Sequence, residues 1–235
     1  MDKKEFLSYW QETEVLENPK FVVTLNLSHL RNCHENNEYM QMILRADLII
    51  TDGIPIKWIL RKFLKKDVNR LTGVDLTTHL LEEEKNFVII GSTLQNIDLT
   101  FRKNSFSQTV LAKERIWDEA VNVFDSQQIY SHVKRLEEIK PKIVLIALGV
   151  PKQDYLYKEM NDTGLLPPAL YVGVGGTFEI LSGKFYRAPN LIQNIGGEWL
   201  WRLIQEPKRL IPRYTKDFFW LIKFFLFNFW KKRDN

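Results

Sequence analysis

Asp52 stands where the apolar run "LIIT" ends and a tight turn, "DGIP", begins. A carboxylate in that position suits two tasks. It can cap the helix that follows, or it can face a cleft and take a proton. Other small and polar residues recur at the same kind of boundary. Thr24 and Asn26 follow or close "FVVTL", and Gly91 and Ser92 follow "NFVII". Gly149, Pro151 and Gln153 follow "KIVLIAL", and Gly173, Gly175 and Gly176 belong to "GVGGT". Each alone fits ordinary turn and cap chemistry. The glycine-rich turn leads into a helix, and free backbone N–H groups there would suit a phosphate. It is not a dinucleotide fingerprint, because G-x-G-x-x-G needs glycine where Phe178 stands.

Several chemistries drop out on composition. The single cysteine, Cys33, excludes an internal disulfide and a Cys-rich zinc site. The four histidines are scattered and no D-x-D motif occurs, so no metal or other cofactor is expected. No serine-hydrolase elbow, Walker loop or nucleic-acid module is found, and nucleic acid is not expected as a partner. A leaving diphosphate would then need Arg, Lys or helix-terminal N–H groups. Arg202, Arg209 and Arg213 are available, the last two at i,i+4 spacing. Ordinary surface contact is the competing reading for each.

The elements that must hold these residues alternate. "FVVTL" (21–25), "DLIIT" (47–51), "NFVII" (86–90), "KIVLIAL" (142–148) and "ALYVGV" (169–174) read as buried strands without in–out alternation. "SHLRNCHENNEYMQMILRA", "DLTTHLLEEEK" and "SQQIYSHVKRLEEI" between them have helical spacing, and "QTVLAKERIWD" is ambiguous, a candidate further strand. The pattern predicts an α/β fold: a mainly parallel, Rossmann-like sheet covered by helices. Sites in such sheets gather outside the carboxyl ends of the strands, where the polar residues above are placed.

The charge is uneven. From Trp201 onward there are nine Lys/Arg and three Asp/Glu, a net of +6 against +4 for the whole chain. Residues 218–230 hold only Lys223 and Asn228 as polar residues. A helix of that length spans about 20 Å, too short for a hydrocarbon core of about 30 Å. Flanking cations and an aromatic face favour an anionic membrane surface. A helix docked on the core or in a dimer interface is the alternative, so self-association stays open. We expect a catalytic domain over residues 1–196 and a helical membrane-binding appendage over 197–235. The N-terminus lacks the apolar core of a signal peptide, and the lone cysteine fits a reducing cytoplasm.

The motifs "TLN", "TDGIP", "RLTGVDL", "ALGVPKQD", "GVGGTFEILSGKFYRAP" and "EWLWRLIQEPKRLIPRY" occur in one order. Together they resemble the WecG/TagA/CpsF family of bacterial glycosyltransferases, over about residues 21–214. The resemblance implies inverting transfer of N-acetylmannosamine or a related sugar from a UDP-sugar donor to a polyprenyl-diphosphate-linked sugar. It implies work on the inner face of the bacterial membrane, for teichoic acid, enterobacterial common antigen or capsule. It makes Asp52 the general base, with Thr24 and Asn26 beside it. Gly53, Arg70, Gln153, the glycines at 173, 175 and 176, and the three tail arginines become substrate-binding. Two departures stand out: Asp154 replaces the usual glutamate, and the stretch after "VIIGS" lacks the usual glycines. A nucleotide-dependent oxidoreductase and a non-catalytic membrane-associated module are the rival readings.

Overall fold

The computed structural model describes residues 5–6, 17–65, 71–83, 86–104, 106, 115–117 and 120–231. In chain order the elements are β1 (Lys20–Leu25), α1 (Leu27–Glu35), α2 (Asn37–Leu44), β2 (Leu48–Thr51), α3 (Ile54–Leu64) and α4 (Gly73–Glu83). There follow β3 (Phe87–Ile90), α5 (Leu94–Lys103), β4 (Ile116–Trp117), α6 (Ser126–Ile139), β5 (Ile143–Ile146) and α7 (Lys152–Asp162). The last are β6 (Leu170–Gly173), α8 (Thr177–Leu181), α9 (Asn190–Asn194), α10 (Glu198–Gln205) and α11 (Pro207–Lys231).

The six strands form one sheet in the order β2-β1-β6-β5-β3-β4, and every pairing is parallel. The α/β class and the parallel sheet expected from the strand runs are both present. The ambiguous segment contributes β4 near its end; its residues 108–114 and 118 lie outside the described residues. The stretch 28–46 differs from a single helix. It breaks at Asn36, whose side chain accepts from Tyr39 N (3.1 Å) and caps α2.

Continuous apolar strands bury both faces, and the period of two divides their side chains between two cores. Val22, Ile50, Ile89, Leu145 and Val172 pack with Leu76 and Leu80 of α4 and Phe101 of α5. Phe21, Val23, Ile90, Ile146 and Tyr171 pack with Tyr39 and Met42 of α2, Val133 of α6 and Leu156 of α7. Phe178 is wholly buried in the first core. Burying such a side chain contributes about 1.5–3 kcal/mol, enough to hold five-residue α8 in place.

Strand order decides where a cleft opens. β1 and β6 are neighbours. The helices after β1 belong to one core and α8 after β6 to the other. The chain therefore leaves two adjacent strands toward opposite faces. The diverging connections leave a crevice at the carboxyl edge, where open α/β sheets bind ligands.

Candidate active site

Thr24, Asn26, Gly173, Gly175 and Gly176 flank that crevice. Thr24 is buried and its Oγ1 donates to Gly173 O (2.6 Å), tying the end of β1 to β6. Asn26 caps α1: its Oδ1 accepts from Ser28 N (3.1 Å) and His29 N (3.4 Å), while Asn26 N donates to His29 Nδ1 (3.1 Å). Nδ1 thus accepts, so the ring proton sits on Nε2, which lies 3.6 Å from Asp154 Oδ2. Asp154 is fully buried and accepts from Tyr39 Oη. Burial and this carboxylate push the Tyr39 phenol far above its ordinary value. These buried polar groups lie between the cap after β1 and the start of α7.

Gln153 is the neighbour of that carboxylate, in the first turn of α7 and 1% exposed. Its Oε1 accepts from Gly175 N (3.0 Å). Gly173 is required here, since a Cβ on it would sit 2.5 Å from Gln153 Nε2. Gly175 takes φ of +55°, a conformation that favours glycine. The sequence suggested that this turn offers free N–H groups. One of them is already committed to Gln153.

Asp52 N donates to Leu25 O (2.9 Å), so the carboxylate leaves β2 alongside the end of β1. The cap position of α3 falls on Gly53, φ +104°, rather than on Asp52. A Cβ built on Gly73 would lie 3.9 Å from Asp52 Oδ2, 3.3 Å from Thr177 Oγ1 and 3.6 Å from Val174 O. Gly73 thus lets Asp52 approach the turn after β6, although β1 lies between the two strands. Thr177, whose Oγ1 donates to Val174 O (2.7 Å), was not singled out in the sequence. Its place after two glycines, where a capping hydroxyl is common, was the available signal. Arg70 lies outside the described residues.

The arginines approach from α10 and α11. Arg202 Nη2 donates to Gly176 O (3.2 Å), next to Thr177 in the same turn. A Cβ on Gly176 would collide with that guanidinium. Arg209 Nε donates to Glu206 Oε1 (2.8 Å), and Arg202 Nε lies 3.5 Å from Glu206 Oε2. Burial works to raise the Glu206 pKa, but Arg209 and Arg202 outweigh it and hold the carboxyl below its ordinary range. Arg213 Nε donates to Ser28 Oγ (2.8 Å) on α1. Burial, together with the charges of Arg202 and Arg209, lowers its pKa against the opposing pull of Tyr214 and Asp217. It remains a cation at neutral pH. Burial likewise raises the Tyr214 hydroxyl, although all three guanidiniums pull it down.

The docked-helix reading of the tail describes one side of α11. Leu210, Arg213, Asp217, Trp220 and Phe224 recur at alternating spacings of three and four, the period of a docking seam. Leu210, Asp217 and Trp220 are buried, and Trp220 packs edge-on against His34 of α1. Ile211, Phe218, Phe219, Ile222 and Leu226 form a neighbouring stripe that is exposed. No described helix is long and apolar enough to cross a membrane.

Phe178, where a dinucleotide fingerprint needs glycine, is core, so the oxidoreductase reading loses its motif. The family model described as "Glycosyl transferase WecG/TagA/CpsF family" matches residues 1–235, the whole chain. The chain belongs to that family, and is a glycosyltransferase of cell-surface glycan synthesis.

Proposed function

We propose that this family member transfers N-acetylmannosamine or its uronic acid from a UDP-sugar to a polyprenyl-diphosphate-linked GlcNAc, with inversion. Asp52 takes the proton of the acceptor hydroxyl as its oxygen attacks the anomeric carbon. The bond from that carbon to the β-phosphate oxygen breaks, and UDP leaves with the electron pair. Arg202, Arg209 and Arg213 stabilise the departing charge without a bound metal. Thr24, Asn26, Gly53, Gln153 and the glycines at 173, 175 and 176 shape the crevice. Arg70 is assigned to substrate binding on its motif alone.

The observation that carries this reading is the turn of residues 175–177. Asp52 Oδ2 and Thr177 Oγ1 both lie within 4 Å of where a Cβ on Gly73 would stand, and a guanidinium donates to Gly176 beside Thr177. A displacement needs both a base and an anion-stabilising group at one site. Residues 197–235 then act as an appendage that holds the arginines and meets the anionic inner face of the bacterial membrane. The exposed stripe on α11 supports this, with basic residues before and after it.

The test is a panel of UDP-sugars with a short-chain GlcNAc-diphosphate-lipid, following UDP release and product mass. A new disaccharide of inverted anomeric configuration, formed equally with EDTA, is expected. Turnover restored only by Mg²⁺ or Mn²⁺ after chelation overturns the metal-free assignment. Donors without UDP working better overturns the donor. Flotation with anionic and neutral vesicles tests the surface, and equal flotation on both counts against the anionic partner.

A further inference from the structure

Asp217 is an acidic residue on a helix whose proposed work is done by cations. It is 3% exposed, and both carboxylate oxygens are engaged. Oδ1 accepts from Arg31 Nε (2.7 Å) and Oδ2 accepts from Ser28 Oγ (2.5 Å), both on α1. Ser28 Oγ in turn accepts from Arg213 Nε (2.8 Å), and Arg213 Nε lies 3.9 Å from Asp217 Oδ2. Burial works against the Arg31 charge, but Asp217 and Glu35 outweigh it and raise its pKa.

Helix docking alone does not account for this arrangement. Apolar residues at position 217 would continue the seam of Leu210 and Trp220 at lower desolvation cost. What the carboxylate adds is direction. Through the Ser28 hydroxyl it fixes the inner nitrogen of Arg213. The Nη groups of Arg213 make no hydrogen bond among the described residues. Two like charges, Arg202 and Arg209, act on that guanidinium. A half-buried cation held by its Nε beside two other cations is preorganised for an anion.

We propose that Asp217 is a positioning residue that presents Arg213 to the diphosphate of the nucleotide. This rests on the clamp role of Arg213 proposed above. The Ser28 hydroxyl relays the orientation, and Arg31 holds the carboxylate from the opposite side.

The experiment measures UDP affinity by calorimetry, and donor KM, on the full chain. The variants are Arg213→Gln, Asp217→Asn, Ser28→Ala and the double variant Arg213→Gln/Asp217→Asn. Arg213→Gln is expected to weaken UDP binding about tenfold or more, the scale of one charge-assisted hydrogen bond. Asp217→Asn is expected to raise the UDP Kd and the donor KM similarly. The double variant should be no weaker than Arg213→Gln alone. A misfolded fraction would lower kcat and leave Kd and KM unchanged, so these readouts separate positioning from loss of protein. Ser28→Ala buries no unpaired charge and should shift Kd in the same direction by less. It carries the test if Asp217→Asn fails to fold.

Normal UDP affinity in both Asp217→Asn and Ser28→Ala, with Arg213→Gln impaired, overturns the positioning role and leaves the clamp standing. Additive losses in the double variant also overturn it, because Asp217 would then act elsewhere. Wild-type binding by Arg213→Gln removes the clamp itself and the positioning role with it.

Discussion

The crevice has two walls built on different principles. The sheet-edge wall is stitched by hydrogen bonds of buried side chains: Thr24 Oγ1 donates to Gly173 O, Gln153 Oε1 accepts from Gly175 N and Asp154 Oδ2 accepts from Tyr39 Oη. It is made of short turns between strands that are covered on both faces. The appendage wall is made of guanidiniums held by carboxylates, Glu206 and Asp217, on surfaces that are partly open. Apolar burial fixes the first wall, so it can carry a group whose position must not drift. The second is fixed by charge pairs and one seam, so its geometry responds to salt, pH and ligand. The proposed base belongs to the first wall and the proposed anion-binding groups to the second.

Removing the adjustable wall altogether tests this division most severely. Deleting residues 201–235 should leave a folded core with turnover below detection, even on a short-chain acceptor. Circular dichroism and UDP release check it. An insoluble product would show that the seam on α1 is core, and retained turnover would remove the appendage from the chemistry.

Within the rigid wall, Asp52→Asn should lower kcat by about 10²–10⁴, the usual loss for a general base, with UDP affinity unchanged. Near-normal rates across pH would move the base elsewhere.

A smaller effect is expected from Gln153→Ala. It strips the partner from Gly175 N–H and should cost about 1–3 kcal/mol of stability, read as a lowered midpoint in urea. If the midpoint holds, the turn of residues 175–177 has another support and the contrast between the walls weakens.

The mildest effect concerns pH. The folded Glu206 carboxyl is held below its ordinary value of 4.5. Its pairing with Arg209 and Arg202 is therefore fully present above that value and is lost as pH falls through the lower folded value. Glu206→Gln should be less stable than wild type at pH 7, with the gap closing as pH falls through the lowered folded value of the carboxyl. A gap independent of pH would mean that the pair contributes nothing through charge.

The two walls also differed in how far the sequence revealed them. The strand runs and the residues after them were legible because a parallel sheet buried on both faces leaves continuous apolar segments bounded by turn residues. The location of Asp52, Gln153 and the glycine-rich turn on one edge followed from that pattern. What Asp52 meets there did not, since it depends on Gly73 admitting Thr177 and Asp52 to one point. The single helical reading of 28–46 missed a break at Asn36, which needs only one side chain to find Tyr39 N. The tail was least legible. Counting apolar residues singled out 218–230 within the appendage, whereas the docking seam begins at Leu210 and includes Asp217. An acidic residue inside a seam has no hydrophobic signature, and its meaning depends on α1, far away in the chain.

The seam and the exposed stripe occupy one helix of 25 residues, a rod of about 37 Å. They face different directions, so occupying one does not displace the other. Any surface that covers the stripe keeps the rod ordered and so lowers the entropic cost of holding Arg213 at the crevice. On the proposed clamp role of Arg213 and the proposed surface contact of the stripe, linkage makes the effect mutual: nucleotide held there strengthens attachment along the stripe by the same free energy. The helix thus converts occupancy at the crevice into residence time on a surface.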